Sequence, residues 1–178
     1  MGRKYKIWDS DRLYFVTFTI VEWIRIFDIE ANMNIIIDSI KYCQEHKGLE
    51  VYAWVVMPNH LHMIIGRKGE PTLSQIIGDL KSFTSRQIRK ELKEGKESLA
   101  YQILVLNGLK NSRNQDFQLW QQHSHPIEIT SDYMFDQKAN YIHLNPVEAG
   151  IVDHPEHWEY SSAIDYHGGK GLLDITSE

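Results

Sequence analysis

The spacing of apolar and polar positions changes several times along the chain, and each change predicts an element. Leu13 to Val21 (LYFVTFTIV) is dense in aromatic and β-branched residues and predicts a strand. From about Ala31 to Lys47, Ile36, Ile37, Ile40 and Cys43 recur at helical spacing, and Gly48 after His46 and Lys47 supplies a helix stop. Leu49 to Met57 predicts a second strand, Pro58-Asn59 a break, and His60 to Gly66 a third strand, near enough to pair with the second as a hairpin. Thr72 or Ser74 can cap the next helix, which carries Ile76, Ile77, Leu80, Phe83 and Ile88. From Lys93 to about Asn114 the pattern fades into Glu, Lys, Gly, Asn and Ser, apart from an apolar island at Tyr101 to Leu106, and an excursion or mobile loop is expected. Phe117 to Trp120 opens a fourth strand that resumes at Ile127 to Ile129. Thr130, Ser131 or Asp132 can cap a last helix, ending near Asn145 because Pro146 disfavours helix just before it. Trp158, Tyr160 and Tyr166 predict a tail that packs back on the rest.

Strand, helix, strand, strand, helix, strand, helix is the order of an α+β, ferredoxin-like (split βαβ) fold. In that arrangement both crossover helices cover one face of an antiparallel sheet, and the third strand is central. The other face is left for a ligand or for the additional C-terminal helix. No internal repeat or linker divides the chain, so residues 1–178 are expected to form one domain, with a core at about 13–150 and a tail at about 151–178.

Within the third strand, His60 and His62 stand two apart, and alternate residues of a strand share a face. Leu61, Met63 and Ile65 then point the other way, toward a core. Two imidazoles on one strand face can grip a divalent metal. The competing reading is a chance pair on a wet sheet face. Unpaired histidines would be costly beneath the helices, which favours the free face. In the last helix, Tyr141 and Asn145 are four apart and share a side. A tyrosine can be a covalent nucleophile, but its ordinary pKa near 10 makes it weak at neutral pH, so it needs a polarising metal, to which the Asn145 amide could also contribute. On these residues alone, a half-buried helix tyrosine and a helix C-terminal asparagine before proline are the commoner readings.

Composition changes the picture little. Hydrophobic residues make up 42% of the chain, enough for a core. The single cysteine, Cys43, cannot form an internal disulfide and reads as a small buried apolar residue, consistent with a reducing cytoplasm. No apolar stretch is long enough for a bilayer, and the basic start, Met1 to Lys6, has no apolar run behind it to make a signal peptide. The net charge of −5 argues mildly against nucleic acid, although a basic patch can sit on an acidic protein.

Taken together, Pro58-Asn59-His60-Leu61-His62 and Tyr141-Ile142-His143-Leu144-Asn145-Pro146-Val147-Glu148-Ala149-Gly150 resemble the HUH single-strand transposases (U, apolar), and within them the REP-associated tyrosine transposases of bacteria. Phe15-Val16-Thr17-Phe18, Leu80-Lys81-Ser82-Phe83-Thr84-Ser85, Leu119-Trp120-Gln121-Gln122 and Trp158-Glu159-Tyr160-Ser161-Ser162-Ala163 extend the likeness over most of the chain from about Tyr14 to Tyr166. H-x-H alone is weak, whereas the ordered set is strong. The resemblance implies a single HUH transposase domain in which His60 and His62 bind Mg2+ or Mn2+, with Asn145 as third ligand where the wider group often has glutamine. Tyr141 would then attack a phosphodiester of hairpin-containing single-stranded DNA (repetitive extragenic palindrome type). The products would be a 5′-phosphotyrosine and a free 3′-hydroxyl, and a second strand end could rejoin without ATP. It also implies a cytoplasmic, nucleoid-associated bacterial protein, monomer or homodimer, active in DNA transposition. A domesticated hairpin-binding protein with little cleavage is the alternative.

Lys81, Arg86 and Lys90 on the second helix are candidates for DNA phosphates, equally readable as a solvated face. Arg3 and Lys4 make a candidate basic arm or a frayed terminus. His125, in the rival motif His123-Ser124-His125, could touch metal or DNA, or simply end a strand. His143 reads as a packing or hydrogen-bonding residue. Trp120 could stack on a base but more commonly would be core.

Overall fold

The computed structural model describes residues 7, 11–94, 98–111, 116–122 and 124–177. Four strands form one antiparallel sheet in the order β2-β3-β1-β4: β1 (Tyr14–Thr19), β2 (Leu49–Met57), β3 (His60–Arg67) and β4 (Ile127–Glu128). This is the split βαβ order, with β1 and β3 central. Residues 58–59 alone turn β2 into β3, in a register that sets Met57 opposite His60. Along β1, Thr17 lies opposite His62 and Thr19 opposite His60.

The two sides of the sheet are different. Tyr14, Val16, Phe18, Leu61, Met63 and Ile65 face the larger core, closed by α1 (Glu30–Lys47) and α2 (Leu73–Glu94). Phe15, Val55 and Ile64 face the other way and meet Ala139 and Ile142 of α4 (Asp132–Glu148). The alternation read from the sequence therefore holds: the apolar set of β3 is under the helices and the histidines are on the opposite face. Helix α1 stops at Gly48, whose φ of 65° is left-handed and whose missing Cβ lets the carbonyl of Lys68 approach closely. The first predicted cap of α2 is correct: Thr72 Oγ1 accepts from Gln75 N at 3.3 Å while Gln75 Oε1 accepts from Thr72 N at 2.9 Å. Ser131 caps α4 by accepting from Met134 N at 3.2 Å.

Three expectations are corrected. The faded stretch contains a helix, α3 (Leu99–Leu109), capped by Ser98, which accepts from Tyr101 N at 3.2 Å. It carries no charged residue, so no polar stripe marks its period, yet Leu104 is wholly buried. Phe117 to Trp120 is extended without being a strand. Gln118 N donates to Leu104 O at 3.0 Å, and Leu119 O accepts from Val21 N at 3.0 Å. A single bridge, Ile20 to Trp120, touches the sheet. Burial of Phe117, Leu119 and Trp120 against several elements explains their apolar run. Pro146 does not end α4, which continues to Glu148. Its missing N–H falls in the final turn, where one carbonyl loses its partner, and the bond that closes the helix, Ala149 N to Asn145 O at 3.0 Å, is intact.

The first predicted strand also ends two residues early. Val21–Trp23 is a 3₁₀ turn in which Glu22 and Trp23 have φ of 53° and 55°. For side chains with a Cβ this conformation costs roughly 1–2 kcal/mol per residue. The tail packs back as expected. Val56 N donates to Tyr160 O at 2.9 Å and Ser162 N to Trp54 O at 3.0 Å, covering the outer edge of β2. A short helix, α5 (Ala163–Tyr166), follows. Among the described residues no helix is long and apolar enough to cross a membrane.

Candidate active site on the histidine face

His60 and His62 lie side by side on β3, their ring centroids 4.6 Å apart. Each ring is held at Nδ1. Asn59 Oδ1 is 2.6 Å from Nδ1 of His60, and since an amide oxygen only accepts, Nδ1 carries the hydrogen. Thr17 Oγ1 is 2.8 Å from Nδ1 of His62. Both contacts leave Nε2 as the atom able to donate a lone pair, the second-sphere orientation usual for a ligating histidine.

Burial disfavours the charged form of both rings. His62 is pushed down to about 3, first by desolvation and then by His60 and Lys138. Protonating it in place costs roughly 5 kcal/mol relative to an ordinary histidine, so it is neutral wherever the fold persists. His60 is lowered by desolvation, partly opposed by a hydrogen bond with the Asn145 side chain.

Helix α4 brings the other members. Its residues 138, 141 and 145 share one side at helical spacing. Tyr141 is 43% exposed and its ring lies 5.2 Å from that of His62. Phe15 stacks on His62 at 5.4 Å and meets the Tyr141 ring edge-on at 6.0 Å, so it floors the site. Lys138 Nζ stands 5.0 Å over the Phe15 ring. Asn145 contacts His60 and also donates to Tyr141 O at 2.9 Å. Ile142, fully buried, anchors the helix to the sheet. His143 turns away: its Nε2 is 2.8 Å from Ser162 Oγ, which also accepts from Trp54 N at 2.9 Å. The expected hydrogen-bonding role of His143 is the one observed, and it ties α4 to the tail.

The structure thus gathers His60, His62, Tyr141 and Asn145. No third His, Cys, Asp or Glu joins them among the described residues. Two neutral imidazoles and one amide oxygen make a mixed nitrogen and oxygen donor set that suits a divalent cation, Mn2+ better than Mg2+.

The remaining candidates lie elsewhere. Lys81 and Arg86 are on the helix-covered side, in a cleft of about 450 Å3 with Arg89, Gln121 and Gln122. Lys81 Nζ donates to Gln121 O at 3.2 Å and lies 5.3 Å over the Phe18 ring, and burial pushes it down to about 8. Arg86 is exposed and donates to Ser82 Oγ at 2.8 Å. His125 is exposed just before β4, and Trp120 is core, its Nε1 donating to Thr84 Oγ1 at 3.1 Å. Arg3, Lys4 and His123 lie outside the described residues.

Sequence reasoning missed Thr17, Asn59, Lys138 and Trp23. Asn59 carried a readable signal, as the polar residue next to His60, whereas Thr17 meets His62 only through the register of β1 against β3. Trp23 carried none, because only its backbone conformation marks it.

The chain matches the family described as Transposase IS200 like over residues 22–104, a span that holds His60 and His62 and ends before Tyr141. It is 34% identical over 116 residues to the REP-associated tyrosine transposase of Escherichia coli K12, covering 65% of this chain and 55% of that protein. A Haemophilus influenzae protein provisionally given the same name is 23% identical over 151 residues, covering 84% of this chain and 78% of that protein. A solved REP-associated tyrosine transposase bound to a REP hairpin has a similar fold, with a TM-score of 0.64 at 20% identity over 100% of this chain and 95% of that one. Over most of its length the chain is thus similar to the REP-associated tyrosine transposases, and over residues 22–104 to the IS200-like transposase family.

Proposed function

We propose that the protein is a DNA endonuclease and strand transferase that cuts and rejoins hairpin-containing single-stranded DNA through Tyr141, in DNA transposition. The observation that carries this reading is the meeting of Tyr141 with the histidine pair, 5.2 Å from the His62 ring across the junction of α4 and β3. The related protein of similar fold, bound to a REP hairpin, supports hairpin DNA as the substrate class.

In this reading His60, His62 and Asn145 would hold a divalent metal, Mg2+ or Mn2+. The metal would supply Lewis-acid polarisation of the phosphodiester and charge neutralisation at the leaving oxygen. The chain's own groups do the rest. Asn59 and Thr17 fix the two imidazoles with Nε2 outward. Tyr141 Oη attacks phosphorus, and its proton passes to the water that its exposed position admits. The bond from phosphorus to the 3′-oxygen breaks, that oxygen takes a proton, and the 5′-phosphate remains on Tyr141. Attack by another 3′-hydroxyl reverses the step and frees the tyrosine, so no nucleotide cofactor is needed. Lys138, one turn before Tyr141, contributes positive charge beside the phosphate.

The test is covalent adduct formation with hairpin oligonucleotides from the DNA flanking the gene, with Mn2+ or Mg2+, on denaturing gels. A metal-dependent adduct that vanishes in Tyr141→Phe supports the reading. Hairpins bound without any adduct would leave a DNA-binding protein that does not cleave. No binding would remove the nucleic-acid reading altogether.

A further inference from the structure

The turn after β1 is backbone-strained and ends in an exposed aromatic side chain beside the site. Glu22 and Trp23 both have left-handed φ, at 53° and 55°, where a glycine would be the unstrained choice. Strain of this kind persists only where the surroundings over-determine it, and it gathers at functional sites. Here the surroundings are specific. Val21 N donates to Leu119 O at 3.0 Å, Trp23 N to Ile20 O at 3.1 Å, and Ile20 N to Asn59 O at 3.0 Å. Asn59 Nδ2 reaches Trp23 O at 3.4 Å while its Oδ1 holds His60. One asparagine therefore touches both the backbone of Trp23 and the ring of His60.

The result is a tryptophan left 58% exposed, its ring edge-on to that of His60 at 6.1 Å. The fold has buried its comparable tryptophans, Trp54 and Trp120, in the core. Packing cannot explain Trp23, which gains little burial from a costly backbone. A flat apolar ring beside His60 suits one ligand class above others: an unpaired nucleobase, which stacks on aromatic side chains with little regard to sequence.

We propose that Trp23 is a stacking platform for an unpaired base adjoining the scissile phosphodiester, so that the strained turn aligns the strand over His60 and His62. The inference rests on the single-stranded DNA reading above. A protein partner docking on the same ring is the competing use, and proximity to His60 favours the base.

The test compares wild type, Trp23→Phe, Trp23→Ala and Trp23→Gly. The probes are hairpin oligonucleotides from the flanks of the gene with single-stranded arms, intact or with one abasic site placed in turn at each arm position. Wild-type binding comes first: none at all removes the DNA reading and this inference with it. Given binding, Trp23→Ala is expected to weaken it about tenfold or more, and Trp23→Phe several-fold less. One abasic position is expected to weaken wild type by a similar factor and to have no further effect on Trp23→Ala. Trp23→Gly is expected to raise thermal stability while weakening binding, since it relaxes the turn and removes the ring. Binding by Trp23→Ala within twofold of wild type would overturn the proposal. So would losses that multiply at every abasic position, and so would weakened binding that simply follows lost stability. In the first case the exposed ring is left to a protein partner.

Discussion

At the scale of single residues, the contact between Thr17 Oγ1 and His62 Nδ1, 2.8 Å across two strands, orients the more deeply buried imidazole. Thr17→Val keeps the shape and removes the hydroxyl, leaving a buried ring nitrogen without its partner. Loss of such an outer partner typically costs tenfold to a hundredfold in metal affinity. If the histidine pair holds Mn2+ as proposed, titration calorimetry on wild type and variant is expected to show a drop in that range, and equal affinities would mean that Thr17 only fills space. Lys81 gives a second prediction. Burial holds it near 8, so its charge fades as the pH passes upward through that value. If it meets a DNA phosphate, hairpin affinity falls between pH 7.5 and 9.5 at constant ionic strength, with protons taken up on binding. Lys81→Arg, charged throughout, is expected to flatten that slope. Strand and helix periodicity paired His60 with His62 and Tyr141 with Asn145, but only the ordered set of motifs, not the spacing, linked the two pairs into one candidate site. What holds the rings was less legible. Thr17 lies 45 residues from His62, and only the register of β1 against β3 makes them neighbours.

At the scale of elements, predicted and observed structure agree wherever a polar stripe alternates with an apolar one, as in α1, β3 and α2. They part where burial is all-round or where the partner is not a ladder. Helix α3 is uncharged, so its period is hidden. The stretch 117–120 is apolar because it is wedged against α3 and the end of β1, which no local pattern announces. The wedge is tight at one point: a Cβ on Gly108 would fall 2.1 Å from Phe117 N, a backbone atom that cannot step aside. Gly108→Ala is therefore expected to destabilise the protein by about 1–3 kcal/mol, although alanine is intrinsically the better helix former. Urea unfolding would show it, and an unchanged or raised midpoint would mean that the wedge is loose. Trp23 shows the same limit from the other side, since an exposed left-handed tryptophan has no sequence signature.

At the scale of the whole molecule, the buried histidines link folding to acidity. His62 and His143 are held at about 3 and about 4 in the native state, mainly by desolvation. Unfolded, both would titrate near 6.5. The unfolded chain therefore binds the extra protons below that value. Stability is full above pH 6.5 and is lost as the pH falls toward 4 and then 3. Each ring removes about 2 kcal/mol by pH 5, a large part of an ordinary domain's stability. Chemical denaturation at pH 7 and pH 5 is expected to show a loss of about 4 kcal/mol, reduced to about half in His143→Gln. A loss no smaller in that variant would move the acid sensitivity elsewhere.

The bond between His143 and Ser162 joins positions 19 apart, and Ser162 in turn grips Trp54, 108 positions earlier. During synthesis, β1, β2 and β3 emerge long before either end of that tie. A nascent chain can pair β1, β2 and β3 and display both imidazoles, and Ile142 can seat the tyrosine helix on that sheet, yet its hydrogen bond to the tail waits until Ser162 has left the ribosome. Translation thus imposes an order on the assembly, with the tie between the Tyr141 helix and the tail made last, and a ribosome stalled before that codon would hold a chain in which that helix lacks this tether.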